Sequence, residues 1–145
     1  MVGGVDGAIH RAGGPEILAA CRRIRDTEYR QGLPTGHAVI TTAGNLRAKH
    51  VIHTVGPIYG QNGGKDAELL AACYENAIAL AAEHGLETLA FPAISTGVYA
   101  YPKAEAAKIS RAAVERALAK HATIREVRLV FFSENDAALA RDRAY

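Results

Sequence analysis

Apolar residues fall in blocks whose period changes along the chain, and each change marks an element. Ile17, Leu18, Cys21 and Ile24 recur at helical spacing behind Gly13, Gly14 and Pro15. This predicts a helix opened by Pro15 and running toward Gly32. Two β-branched runs bounded by Gly or Pro follow, HAVITTAG at 37–44 and HVIHTVGP at 50–57, and they predict two strands. Leu70, Cys73, Tyr74, Ala77, Ile78 and Ala81 mark one face of a long helix that Gly85 ends in the C′ manner. TLAFPAIS at 88–95, apolar from Leu89 to Ile94 and broken only by Pro92, reads as a third strand covered on both faces. After a loop from Ser95 to Tyr101, Pro102 starts a helix that turns Ala106, Ile109, Ala113, Ala117 and Leu118 inward. EVRLVFF predicts a fourth strand, and Asp136 to Arg143 a short terminal helix. Alternating helix and strand implies an α/β architecture with a largely parallel sheet.

Composition narrows the class without naming a function. A chain of 145 residues has the size of one domain, expected here to span residues 1–145. At 49% hydrophobic and 22% charged it lies far from disordered, collagenous or disulfide-scaffold extremes. A formal charge of +2 is too small and too scattered to form a basic nucleic-acid footprint. Cys21 and Cys73 have no Cys or His at metal-ligand spacing and read as buried thiols of a reducing compartment. With no signal-peptide pattern and no run of 18 apolar residues, the expectation is a soluble cytoplasmic protein without a membrane partner.

Two stretches have the residue types that chemistry needs. In open α/β sheets ligands gather beyond the carboxyl ends of the strands. Ile94 to Pro102 lies between a buried strand and a helix, where amides around Gly97, the hydroxyls of Ser95 and Thr96 and the positive end of the next helix would cradle a phosphate or diphosphate. Tyr99 and Tyr101 would add aromatic walls against a ribose or base. The other stretch, residues 3–10, has a glycine pair that lets backbone approach a ligand, and Asp6 and His10 share a face if the segment is helical. The competing structural assignments are Asp6 as a helix cap with His10 at the surface, and the second loop as an ordinary connection. His50 and His53, three apart along a strand, point to opposite faces and exclude a shared metal. Ser95 lacks a nucleophile-elbow context, so chemistry through a bound water remains.

Taken together, GGVDGAIHRAGG at 3–14, LPTGHAVITTAGNLRAKHVIHTVGP at 33–57 and AFPAISTGVYAYP at 90–102 resemble the macro domain family, in its MacroD-like branch of ADP-ribose binders and hydrolases. The resemblance implies a three-layer α/β/α fold with a mostly parallel mixed sheet. It implies that Gly3, Gly4 and Val5 form a first diphosphate-contacting loop, and that Asp6 is the catalytic carboxylate, with His10 shaping its site. Ser95, Thr96, Gly97 and Val98 would hold the diphosphate and Tyr99 the distal ribose, while Phe132 and Ser133 would border the adenine. No cofactor or metal is implied.

The family normally opens with two strands carrying a GDIT-like and an NAAN-like stretch, and neither occurs in these 145 residues. The second of those strands is normally interior to the sheet. The chain is therefore expected either to form a rearranged four-stranded sheet or to cover bare edges in a homo-oligomer. The activity implied is hydrolysis of an ester at the distal ribose, either deacetylation of O-acetyl-ADP-ribose or removal of ADP-ribose from proteins. The alternatives are an ADP-ribose-binding module without turnover and a shortened domain with a structural role.

Overall fold

The computed structural model describes residues 4–97, 99–131 and 134–141. The elements run α1 (Gly4–Gly13), α2 (Pro15–Thr27), β1 (Ala38–Thr42), β2 (His50–Thr54), α3 (Asp66–Glu83), β3 (Thr88–Pro92), α4 (Lys103–Lys120), β4 (Glu126–Val130) and α5 (Glu134–Arg141). All four expected strands form, in alternation with helices.

The core is built on α3. Its expected face, Leu70, Cys73, Tyr74, Ala77, Ile78 and Ala81, is buried throughout. Alanines at 71, 77 and 81 of α3 and at 106, 113 and 117 of α4 let the two helices pack closely. Each large aliphatic group removed from water here, such as Leu70 or Ile78, contributes on the order of 1.5–3 kcal/mol. Gly85 takes φ 69°, the left-handed cap conformation that ends α3. α2 stops at Thr27 and not near Gly32. Its apolar face is exhausted after Ile24, and the Thr27 hydroxyl bonds back to the Arg23 carbonyl at 2.7 Å.

β1 and β2 form an antiparallel hairpin with Ile40 opposite Ile52. Residues of alternate parity face opposite sides, so Ala38 and Ile52 meet the α3 core while Thr41 and His53 face α1 and α2. The hairpin is thus covered by helices on both sides. β3 and β4 pair in parallel across α4, with Ala90 opposite Arg128.

Two expectations need correction. The four strands make two separate two-stranded sheets, β1–β2 and β3–β4, and not one rearranged sheet. The reason is visible in the pairing: β2 and β3 are successive strands, joined through α3, yet no ladder links them. Consequently β3 is not covered on both faces as its apolar run implied; Phe91 is buried but Ala90 is exposed. Of the helically spaced apolar residues of α2, Ile17 is buried and Leu18 is 43% exposed.

Candidate functional site

The helix carrying Asp6 and His10 is fastened to the β1–β2 turn at its far end. The Asn45 amide donates to the Gly13 carbonyl at 2.8 Å, and the Gly44 Cα lies directly against that carbonyl. Gly44 has φ 56°, and a Cβ there would collide with the Gly13 oxygen, so glycine is required twice over. Asp6 sits in the first turn of α1 and His10 and Arg11 in the last, signs that suit the helix dipole. Gly4 and Val5 are the opening residues of a helix, where a loop was expected; Gly3 lies outside the described residues.

One helical turn brings His10 Nε2 to 3.5 Å from Asp6 Oδ1. The Asp6 side chain is 57% exposed and that of His10 is 27% exposed. Beneath them His53 of β2 lies with its ring centroid 6.4 Å from that of His10. His53 Nε2 is 2.9 Å from Thr41 Oγ1 and 3.8 Å from Cys21 Sγ. Burial holds the His53 imidazole below its ordinary pKa, against the opposing pull of Asp6, so the ring is neutral near pH 7. Burial, and then the Asp6 charge, raises the Cys21 thiol, so no thiolate forms there. Cys21 is half-buried and Cys73 fully buried; both are free. His50 stacks near His84 on the other face of the hairpin, 6.2 Å away, so the two strand histidines do part as their spacing required.

A groove of about 730 Å³ opens beside this cluster, lined by Asp6, Gly7, His10, Arg11, Gly14, Pro15 and Leu18. Leu18 is exposed because it forms the wall of this groove.

The second stretch folds into a closed loop. The Tyr101 amide donates to the Ser95 carbonyl at 2.9 Å, the Ala100 amide to the Gly97 carbonyl at 2.9 Å, and the Tyr59 amide to the Tyr99 carbonyl at 2.9 Å. Ser95 and Ala100 have φ of 66° and 61°, unusual for residues with a Cβ, and strain of this kind concentrates at ligand-binding segments. Just before the loop, the Ile94 amide donates to the Tyr74 hydroxyl at 3.2 Å, which fixes the loop to α3. Tyr99 is exposed. Tyr101 is 3% exposed and packs on Tyr59 at 5.0 Å, so it belongs to the core and forms no wall. Thr96 borders a small cavity of about 20 Å³ against α4, room for one water. Val98, Phe132 and Ser133 lie outside the described residues.

β2 brings the two stretches together. His10 lies over His53, and Gly56, three residues on, approaches Ser95 so closely that a Cβ on it would strike Ser95 Oγ and sit 2.6 Å from Ile94 Cγ2. Three residues of extended chain span about 10 Å. Asp6, His10 and Ser95 thus flank one end of β2, where an α/β sheet presents ligands. Among the described residues, two buried side-chain polar atoms have no partner, and they are His10 Nδ1 and Ser95 Oγ. Residue-type reasoning missed His53, Thr41 and Tyr74 as supports of this site. The period-two alternation that puts Thr41 and His53 on one face was the available signal.

The chain matches the Macro domain family over residues 1–110. A macro domain-containing protein of Cupriavidus necator is 56% identical over 142 residues, covering 97% of this chain and 80% of its own length. A Klebsiella pneumoniae protein named O-acetyl-ADP-ribose deacetylase is 50% identical over 139 residues, 96% of this chain and 78% of its own. Among solved structures, an Oceanobacillus iheyensis macrodomain with ADP superposes with a TM-score of 0.91 at 45% identity, covering 96% of this chain and 73% of that one. A Trypanosoma brucei macrodomain in complex with ADP-ribose gives 0.81 at 34% identity, over 95% of this chain and 55% of that one. The chain belongs to the macro domain family.

Proposed function

We propose that residues 1–145 act as one cytoplasmic domain that binds ADP-ribose and hydrolyses an ester at its distal ribose, with O-acetyl-ADP-ribose or ADP-ribosylated protein as substrate. The observation that carries this reading is the pair of unpartnered buried atoms, His10 Nδ1 and Ser95 Oγ, one in each stretch. Buried polar groups are paired in the great majority of structures, and an orphan leaves an unmet cost of about 1–3 kcal/mol that a ligand oxygen or bridging water would remove. The names of relatives at about 50% identity support the hydrolase reading.

In this account the amides of Gly3, Gly4 and Val5 and those of Ser95 to Val98 hold the diphosphate. Helix and loop amides suit that charge. Tyr99 packs on the distal ribose, and Phe132 borders the adenine. Asp6, exposed toward the groove, accepts a hydrogen bond from a water and takes its proton as the water oxygen attacks the acyl carbon. The carbon–oxygen bond to the ribose breaks, the ribose oxygen receives a proton, and a carboxylic acid and ADP-ribose leave. His10, one turn along, limits the rotation of the Asp6 carboxylate. Holding water and ester at contact distance supplies a large part of the acceleration, on the order of 7–11 kcal/mol for well-oriented reactants. No step needs a metal or cofactor.

A second reading, a module that holds ADP-ribose without turnover, is favoured by the looseness of the acid: Asp6 is 57% exposed and 3.5 Å from His10, longer than a good charge-assisted hydrogen bond. Calorimetry with ADP-ribose beside a chromatographic assay of O-acetyl-ADP-ribose separates the two. Product supports the hydrolase and heat without product supports the module. Neither signal would refute both.

A further inference from the structure

Two histidines take no part in the site described above. His50, the first residue of β2, and His84, which caps the end of α3, lie with ring centroids 6.2 Å apart and planes inclined at 59°. Both residues are exposed, on the face of the hairpin away from His53. Each ring is anchored through the same nitrogen: His50 Nδ1 donates to the Thr41 carbonyl at 3.3 Å, and His84 Nδ1 to the Leu80 carbonyl at 3.0 Å. A carbonyl oxygen can only accept, so in both rings Nδ1 carries the hydrogen and Nε2 the lone pair. Among the described residues no group engages either Nε2. The backbones beneath are fixed as well. His50 is paired with Thr42 in the hairpin, and the His84 amide donates to the Ala81 carbonyl of the last turn of α3 at 3.1 Å.

We propose that His50 and His84 together bind one late first-row divalent metal ion, of the copper(II) or nickel(II) kind, through their two Nε2 atoms. An imidazole that rests its other N–H on a carbonyl is the usual form of a metal-binding histidine, with tautomer and orientation already set. The separation decides the geometry. With each nitrogen about 2.0–2.1 Å from the ion, two ring centroids stand about 6.4 Å apart when the nitrogens oppose each other and about 5.2 Å apart in a tetrahedron. The 6.2 Å found here fits the opposed arrangement of a square-planar or tetragonal ion better than a tetrahedral zinc site. Among the described residues no group of three or more His, Cys, Asp or Glu could hold a metal, so water completes the coordination. The His10–His53 pair has a similar separation, 6.4 Å, but its nitrogens are engaged: His53 Nε2 lies 2.9 Å from Thr41 Oγ1, and His10 Nε2 faces Asp6 at 3.5 Å. An ion on His50 and His84 joins the head of β2 to the tail of α3, which the unfolded chain does not hold together. It therefore stabilises the folded form.

This site stands independently of ADP-ribose binding and is tested without nucleotide. Nitrogen NMR of the histidine rings in metal-free protein should show His50 and His84 as Nδ1–H tautomers. Nickel chloride is then titrated in. The two ring signals should broaden together, ahead of those of the other histidines, and calorimetry should count one ion per chain. Losing a ligand costs no less than losing its outer partner, so His50→Gln and His84→Gln should each weaken nickel binding at least about tenfold. Each should also abolish the rise in melting temperature that nickel gives the wild type. His37→Gln, at an exposed histidine set edge-on to Tyr29, should bind nickel as the wild type does. The proposal is overturned if either ring is an Nε2–H tautomer, if another histidine broadens first, or if nickel binds and stabilises either variant as it does the wild type. A loss in His37→Gln equal to that in the other two variants would overturn it too.

Discussion

Adding one methyl group at Gly56 tests how the Ser95 loop is held. The position has ordinary backbone geometry, so Gly56→Ala acts through space alone. The new Cβ would sit 2.6 Å from Ile94 Cγ2 and closer still to Ser95 Oγ. The first distance is about 1 Å short of ordinary carbon–carbon contact, so the loop must shift by roughly that amount. Overpacking of this kind costs about 1–3 kcal/mol, offset by about 0.4–1 kcal/mol because the unfolded chain loses freedom. A net loss of about 1–2 kcal/mol lowers the urea midpoint by roughly 0.5–1 M for a domain of this size. The larger consequence is for binding: a donor moved by about 1 Å weakens ADP-ribose by about tenfold, or 1.4 kcal/mol. Urea denaturation and calorimetry on the same preparation read both effects. A variant that is more stable and binds ADP-ribose unchanged would show that Ser95 is neither crowded by Gly56 nor part of the site.

Three further changes probe the supports. Gly44→Ala forces a Cβ into a left-handed position and onto the Gly13 carbonyl, so it should cost about 2 kcal/mol by urea denaturation and loosen α1 from the hairpin; wild-type stability would dismiss that docking. The Tyr74 phenol is pushed up to about 12 by burial, so its contribution to stability is complete below pH 10 and is lost as pH rises from there toward 12. Tyr74→Phe should flatten that alkaline fall in thermal melts, at a cost near pH 7 of about 1 kcal/mol for the unpaired Ile94 amide. His53 is held below its ordinary 6.5, so the unfolded chain binds the proton first and stability present above that pH is lost as pH falls below it. His53→Gln should lessen the acid loss, and an unaltered pH profile would mean that His53 is as accessible folded as unfolded.

Periodicity found what local pattern controls. The inward face of α3 from Leu70 to Ala81, Pro15 at the head of α2 and Gly85 at the end of α3 each follow from one element's own geometry. Strand pairing depends on which chains are present to pair, so the split between β2 and β3 could not be read from VIHTVGP or TLAFPAIS, whose compositions describe an interior strand either way. Tyr101 left its expected place for a related reason: contact with Tyr59, distant in sequence, buries it. For the candidate site, residue type and spacing single out Asp6, His10 and Ser95. Their supports, His53 with Thr41 and Tyr74 with Ile94, depend on register and helix placement and emerged only in three dimensions.

The central claim is that Asp6 activates water beside an ester on the distal ribose. Its most direct test is the initial rate of O-acetyl-ADP-ribose hydrolysis by Asp6→Ala, with the ADP-ribose Kd measured on the same sample. The account predicts a rate reduced by about two to four decades, as for loss of a general base, with a Kd within about threefold of wild type, less than 1 kcal/mol. An undiminished rate would contradict it.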